Sequence, residues 1–436
     1  MLEKLFKLKL HNTTVRTEII AGITTFLTMA YIIFVNPQIL SSTGMDYNSV
    51  FMATCIAAAI GTLIMAFAAN YPVGMAPGMG LNAFFAFTIA APVAHGGMGF
   101  TWQEALGAVF VSGVVFLLLT VTGARRWIID GIPKSLRASV GAGIGLFLAF
   151  IGLQNAGIVV DSPATLVSMG DLTQPAALYC ILGFFIMVVL DRLGVKGAIL
   201  IGVLAVSVLS FVLGHNEFKG IMSTPPSIAP TFFQLSFEKV LHGSFIQILI
   251  ALVLVELFDA TGVLMGVAKQ AHLTDHNVPE AKKRFNRALF SDSTSILAGS
   301  FLGTSSVTAF VESSAGVQAG GRTGLTALTI AVLFLLAMFF SPLAGSIPAY
   351  ATAPALVYIA GLMLRELTEV NWEEATDAIP AALLVLGMPF TYSIATGFAF
   401  GFISYVVLKA FTGRFKEIHP ATAIVAFLFF IRFAFF

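Results

Sequence analysis

The chain has 436 residues, 58% of them hydrophobic and 10% charged, with a formal net charge of +1. A soluble domain carries roughly a quarter charged residues, so this composition excludes a water-soluble globular protein and points to a polytopic α-helical membrane protein embedded in a lipid bilayer. The near-neutral charge excludes a nucleic-acid partner, and Cys55 and Cys180, both in apolar stretches, suggest no disulfide framework. The seven histidines form no spaced metal site, and the absence of a nucleotide-binding glycine loop argues against ATP-driven chemistry.

Residues 1–17 are a short basic lead-in with Lys4, Lys7, Lys9 and Arg16. The apolar run behind them is long and lacks a small-residue cleavage pattern, so it reads as a first span and not as a signal peptide. That span covers residues 19–35 and is expected to end at Asn36-Pro37, where the proline ring removes a backbone donor. A second span lies at 50–69. No Asp, Glu, Lys or Arg occurs between Tyr47 and Gln103, which leaves room for three passes, yet the middle of that run reads NYPVGMAPGMGLNAFFAF (70–87). Pro72, Gly74, Pro77, Gly78 and Gly80 forbid a regular helix there. The third segment is therefore an extended stretch, 72–79, feeding a half-helix that starts near Gly80 to Asn82.

The fourth span, 105–121, is followed by Arg125, Arg126, Lys134 and Arg137, and the fifth, 138–158, is wholly uncharged. Segments six and seven are 176–190 and 198–213. The polar connection 214–240, with Pro225, Pro226 and Pro230, is the natural seam between two halves. The second half opens with 245–267, which holds Glu256 and Asp259, and continues through a basic loop to 291–302, 302–321, 325–341 and 351–364. An acidic-rich loop follows at 365–377. Residues 379–388 are too short to cross alone, so 379–408 reads as a re-entrant V or a pair of short helices, with 421–434 beyond. Fourteen segments result. Lys and Arg cluster after spans four, six, eight and ten, matching the basic N-terminus, which places the N-terminus in the cytoplasm, and the economy of loops suits a bacterial plasma membrane.

The stretch LGTSSVTAFVESSAGVQAGG (302–321) carries a single acid, Glu312, among Gly and Ser/Thr residues. A carboxylate at membrane depth is expensive unless it has partners or lines a cavity, so its default reading is functional; the bland one is a polar packing contact. Two Gly-rich interrupted segments, third in each half, form the pattern of an inverted-repeat transporter whose broken helices meet at the midplane. Glu256 and Asp259, three residues apart, share one helix face. Two carboxylates this close repel when both are ionised, so one holds a proton or is paired. Asp259 could instead cap the opposing broken segment. Asn82 caps a helix or offers donor and acceptor to a planar ligand. Thr304, Ser305, Ser306 and Thr308 satisfy unwound backbone or bond a ligand. Thr28 and Tyr31 are the site candidates of the first span, and Phe84 could stack on a flat ring or simply pack.

The segments TTFLTMAYIIFVNPQIL (24–40), GMAPGMGLNAFFAF (74–87), VELFDATGVLMGVAKQA (255–271) and TSSVTAFVESSAGVQAGGRTGLTAL (304–328) resemble the AzgA-like purine permeases, a branch of the nucleobase–cation symporter-2 family. The resemblance covers essentially the whole chain. It implies fourteen segments in a seven-plus-seven inverted repeat, with short strands in segments 3 and 10. A core domain would comprise residues 1–137 and 241–345, and a gate domain 138–240 and 346–436. It further implies that Asn82, Glu256 and Glu312 recognise the base, that Glu256 bears on proton coupling, and that Asp259 is more structural. One departure stands out: the family commonly shows Asp-x-x-Asp-Thr where this chain has Glu256-Leu-Phe-Asp259-Ala260, which leaves adenine versus hypoxanthine or guanine open.

The expected function is import of a purine nucleobase by proton symport through an elevator-like motion. The substrate-binding set is Glu256, Glu312, Asn82, Thr28, Tyr31, Phe84 and Ser306, and the proton-coupling pair is Glu256 and Asp259. No cofactor is expected beyond the co-transported proton, and the resemblance implies a homodimer. Competing readings are a xanthine or uracil permease, an anion transporter of the same fold and, last, an intramembrane enzyme using paired carboxylates.

Overall fold

The computed structural model describes residues 2–93, 97–239, 243–273 and 280–435. The protein is an all-α membrane fold apart from two small two-stranded sheets. Among the described residues, eight helices are long and apolar enough to cross a membrane, from Val15–Ser41 to Ile394–Phe411. Shorter apolar helices cover Met79–Ile89, Ala198–Val212, Ala375–Phe390 and Pro420–Ile431. Local chemistry fixes several starts. Thr14 accepts a hydrogen bond from Thr17 N, Asp46 from Ser49 N, and Thr101 forms a capping box with Glu104.

Two sets of helices pack mainly among themselves. One contains Val15–Ser41, Tyr47–Ala69, Trp102–Thr122, Gly243–Gln270, Ala281–Leu302 and Gly324–Ala337; the other contains Lys134–Asn155, Pro175–Arg192, Ala198–Val212, Ala349–Met363, Ala375–Phe390 and Ile394–Phe411. Small residues bring the second set close, as expected where no hydrophobic force drives helices together in lipid. A Cβ on Gly152 would lie 2.9 Å from Ala353 O, so Lys134–Asn155 and Ala349–Met363 touch backbone to backbone. The seam is pinned to the first set: Phe233 N donates to Phe301 O at 2.8 Å and Ser236 N to Gln103 O at 3.0 Å.

One local expectation changes, and one open alternative resolves to the pair of short helices. The first span does not end at Asn36-Pro37: helix resumes over Ile32–Ser41 with Pro37 inside it, and the irregular turn sits upstream at Ala30–Tyr31. There Ile33 N and Phe34 N bond to Ala30 O and Tyr31 O three residues back, a tightened turn ahead of the proline. Asn36 stays in the helix because its amide donates to Thr54 Oγ1 at 2.7 Å and Thr304 Oγ1 at 2.9 Å. Residues 379–408 resolve into an antiparallel helix pair, Ala375–Phe390 and Ile394–Phe411, joined at Thr391–Ser393. The loop after the fifth span folds as a hairpin, Val159–Ser162 against Leu166–Met169.

Candidate functional site

The two interrupted segments meet as strands. Met75–Pro77 pairs antiparallel with Val307–Ala309, Met75 opposite Ala309 and Pro77 opposite Val307. Gly78 N donates to Ser306 O and Phe310 N to Gly74 O, both at 3.0 Å, extending the ladder at each end. Hydroxyls take the backbone groups that a broken helix leaves free in a membrane: Met75 N bonds Thr62 Oγ1 at 2.9 Å and Gly74 N bonds Ser313 Oγ at 3.0 Å. Each strand then feeds a short helix, Met79–Ala83 and Ser313–Gln318, so two N-terminal, partially positive ends lie beside the crossing.

Side chains from four elements gather around this crossing. Tyr31, at the irregular turn of the first span, donates from its hydroxyl to Glu312 Oε1 at 2.6 Å. Thr28 Oγ1 bonds Thr25 O at 2.7 Å and reaches Glu312 O only at 3.5 Å, so it serves its own helix first. Glu312 immediately precedes the second short helix and is half-buried. Asn82 is not a cap: it lies inside Met79–Ala83, its Oδ1 accepts from the Ser305 hydroxyl, and its buried Nδ2 has no partner. Glu256 is fully buried; Oε1 accepts from Ser112 Oγ at 3.1 Å, whereas Oε2 has no partner. Ser306 faces Glu256 with its Oγ buried and outside hydrogen-bond geometry. Asp259 is half-buried over Gly78, whose N–H donates to Ser306 O. Phe84 is fully buried within the hydrophobic core, the packing alternative for that ring.

A buried ion pair stands behind the crossing and was missed in the sequence. Arg125 Nη2 pairs with Asp292 Oδ2 at 3.2 Å, donates to Thr261 Oγ1 at 2.9 Å, and lies 4.2 Å over the Phe116 ring. Asp292 Oδ1 accepts from Thr308 Oγ1, in the second strand, at 3.4 Å. The pair thus ties the end of the fourth span to the strand crossing. The signal was available: Asp292 is the one acid of the helix Ala281–Leu302, whose second half, 291–302, is otherwise uncharged. Arg125, grouped with a basic loop, carried no such mark.

A cleft of about 1750 Å³ opens between the two helix sets and runs down to this region. Asp259, Thr261, Gly262, Val311 and Ser314 line its inner end, and Lys134, Arg137, Lys282, Glu366 and Glu369 lie along its outer part. Val311 is 57% exposed although it neighbours Glu312, so the turn carrying that acid faces the cleft. Asp259 and the Glu312 turn are therefore reached from the cleft, while Glu256 sits behind them, sealed.

A many-helix membrane protein with two interrupted segments crossed as strands, and a deep cleft leading to Asp259 and the Glu312 turn beside them, is a membrane permease by architecture. The Permease family pattern matches residues 16–400. The chain is 47% identical over 435 residues to adenine permease AdeP of Escherichia coli, covering 100% of this chain and 96% of that one. It is 48% identical over 434 residues to a putative permease of Methanocaldococcus jannaschii, covering 99% and 98%. To guanine/hypoxanthine permease PbuO of Bacillus subtilis it is 46% identical over 437 residues, covering 98% and 99%. The chain belongs to this permease family, in the AzgA-like branch that its motifs resemble. Among solved structures, the transmembrane domain of the cyanobacterial bicarbonate transporter BicA aligns with a TM-score of 0.68 at 14% identity, covering 87% of this chain and 97% of that one. SLC26A9 aligns at 0.65 and 12% identity, covering 92% and 66%. At such identities the likeness concerns the fold.

Proposed function

We propose that the protein imports a purine nucleobase with a proton, by moving one helix set against the other. The observation that carries the reading is a set of buried polar groups left incompletely bonded at the strand crossing: Asn82 Nδ2 has no partner among the described residues, and Glu256 Oε2 and Ser306 Oγ face each other outside hydrogen-bond geometry. Buried polar groups are nearly always paired, so such groups suit a ligand that is itself planar and polar. A purine edge alternates N–H donors with ring-nitrogen or carbonyl acceptors, and an amide beside carboxylates matches that alternation. Relatives named for adenine and for guanine/hypoxanthine are almost equally similar, which supports a purine without choosing between the two.

In this reading Glu312, held by Tyr31, and Asn82 recognise the base, Glu256 carries the proton, and Asp259 stands at the cleft end. Thr28 and Phe84 support the pocket from behind. The set containing the crossing is the moving core, 1–137 and 241–345, and the set built on Lys134–Asn155 and Ala349–Met363 is the gate, 138–240 and 346–436. The fourteen membrane segments are seven plus seven in inverted repeat. The N-terminus is cytoplasmic, so the cleft, rimmed by Lys134, Arg137 and Lys282, opens inward. On the opposite side Gln38, in the core, donates from Nε2 to Ile347 O at 2.7 Å and accepts from the Thr352 hydroxyl, both in the gate, contacts that close the outer face. A homodimer is part of the proposal on the family resemblance alone and is tested by the mass of the detergent-solubilised protein.

Uptake of radiolabelled adenine, guanine, hypoxanthine, xanthine and uracil, with and without a protonophore, tests the function. Purine uptake should collapse with the gradient. Transport unaffected by loss of both the pH gradient and the membrane potential sinks the symport reading, and uptake of sulfate or bicarbonate in competition with purine favours the anion reading. Glu312→Gln should abolish uptake while the protein remains in the membrane; normal affinity in that variant removes Glu312 from the pocket.

A further inference from the structure

Glu366 is an acid that the substrate site does not use. It follows the helix Ala349–Met363 in the turn Leu364–Glu369 and lines the same cleft as Asp259, from the opposite helix set. Its carboxylate rests in a niche made by a missing side chain. A Cβ on Gly141, in the helix Lys134–Asn155, would lie 2.1 Å from Glu366 Oε2. No hydrogen bond or ion pair engages that carboxylate among the described residues. Desolvation by the surrounding helix atoms, and then the charge of Glu369, push its carboxyl up to about 7, close to the pH at which a group both takes and gives protons efficiently. The charged groups around it are Arg365 and Glu369 on its own turn, Lys134 and Arg137 on the helix beneath, and Asp259 across the cleft.

We propose that Glu366 is the inward proton acceptor of the transport cycle, receiving the proton that the Glu256–Asp259 pair releases into the cleft and handing it to the cytoplasm past Glu369. One O–H bond breaks on the core carboxylic acid and one forms on the Glu366 carboxylate through solvent; the second transfer regenerates the anion, so the cycle balances with one proton moved inward. The inference rests on the symport reading above. Its geometric content is the placement of this acid on the gate set: the donor moves with the core, and the acceptor waits where the cleft opens.

The test separates net proton-driven uptake from exchange, because substrate exchange at equal pH needs no proton release. In proteoliposomes, Glu366→Gln should cut net purine uptake at least about tenfold, below the usual worth of a positioned proton-transfer group because water substitutes in part. Equilibrium exchange should stay within about twofold of the unaltered protein, since no proton transfer is needed there. Glu366→Asp should recover most net uptake. Gly141→Ala, which keeps the acid but evicts it from its niche, should show the same split and covers the case in which Glu366→Gln fails to fold. Equal net uptake in Glu366→Gln overturns the proposal, as does a parallel loss of uptake and exchange in all three variants. If the unaltered protein ignores the proton gradient, the symport reading fails first and takes this inference with it.

Discussion

Replacing Tyr31 by Phe removes one hydroxyl and leaves the ring in place against Phe310, 6.5 Å away between centroids. What is lost is the 2.6 Å hydrogen bond to Glu312 Oε1. A hydrogen bond to a charged group is worth about 1.5–3 kcal/mol. Because Glu312 is half-buried and its turn faces the cleft, water replaces part of the lost donor. The expected loss is therefore at the low end, about 1–1.5 kcal/mol, which is roughly a five- to tenfold rise in KM for purine uptake. Maximal rate should change less, since the carboxylate itself remains. The assay is initial-rate uptake in cells lacking their own purine permeases, with membrane abundance measured in parallel. Adding Glu312→Gln to Tyr31→Phe should cost no more than Glu312→Gln alone, because the hydroxyl acts through that carboxylate. An unchanged KM in Tyr31→Phe, or additive losses in the double variant, would refute the assignment of Tyr31 as the residue that orients Glu312.

The buried Arg125–Asp292 pair should behave asymmetrically. Arg125→Gln or Asp292→Asn leaves one charge unpaired and should destabilise the protein by about 3–5 kcal/mol, whereas Arg125→Met with Asp292→Leu should recover much of the loss; thermal unfolding in detergent measures both. At the start of the helix Ala375–Phe390, Glu374 pairs with Arg414 at 2.8 Å and accepts from Thr376 N and Oγ1 at 3.2 and 2.9 Å. The hydrogen bond from Arg414 and those from Thr376 pull its carboxyl down to about 2, from an ordinary 4.5. A depressed pKa stabilises the fold above the unfolded value and loses that contribution as pH falls through the folded one. The acid limb of the melting curve between pH 4.5 and 2 should therefore flatten in Glu374→Gln; an unchanged limb removes the pair from the acid response.

Much of the architecture was legible because membranes simplify the grammar. Long apolar runs without charge could only be spans, and Pro72, Pro77 and the glycines between them could only be a break. Asn36-Pro37 misled for a physical reason. A proline ends an isolated helix, but here the Asn36 side chain is tied to Thr54 and Thr304 and neighbouring helices shield the loosened turn, so the helix survives. Glu312 was visible as an acid in the wrong solvent. Asp292 obeyed the same rule, yet it lies about one turn beyond Arg287 in a helix whose first half also holds Lys282, Lys283 and Arg284, and so read as part of a charged entrance. Arg125 and Glu366 were invisible in another sense: each sits at the end of a span, where charge is ordinary, and only the tertiary fold turns one inward and the other into the cleft.

The hydroxyl run Thr304, Ser305, Ser306, Thr308 carries the most instructive gap. Read one by one, these residues are a generic supply of backbone partners. Read against their partners, they divide by contact. Ser306 faces Glu256, Thr308 donates to Asp292 and Ser305 donates to Asn82. Thr308 lies within the strand Val307–Ala309, and Ser305 and Ser306 lie just before it. The broken segment therefore does more than free backbone groups: one short stretch of chain touches the amide of the third segment and the acids of the eighth and ninth together. A substitution such as Ser305→Ala should consequently disturb the Asn82 side alone, lowering purine affinity while leaving the Arg125–Asp292 pair and thermal stability nearly unchanged.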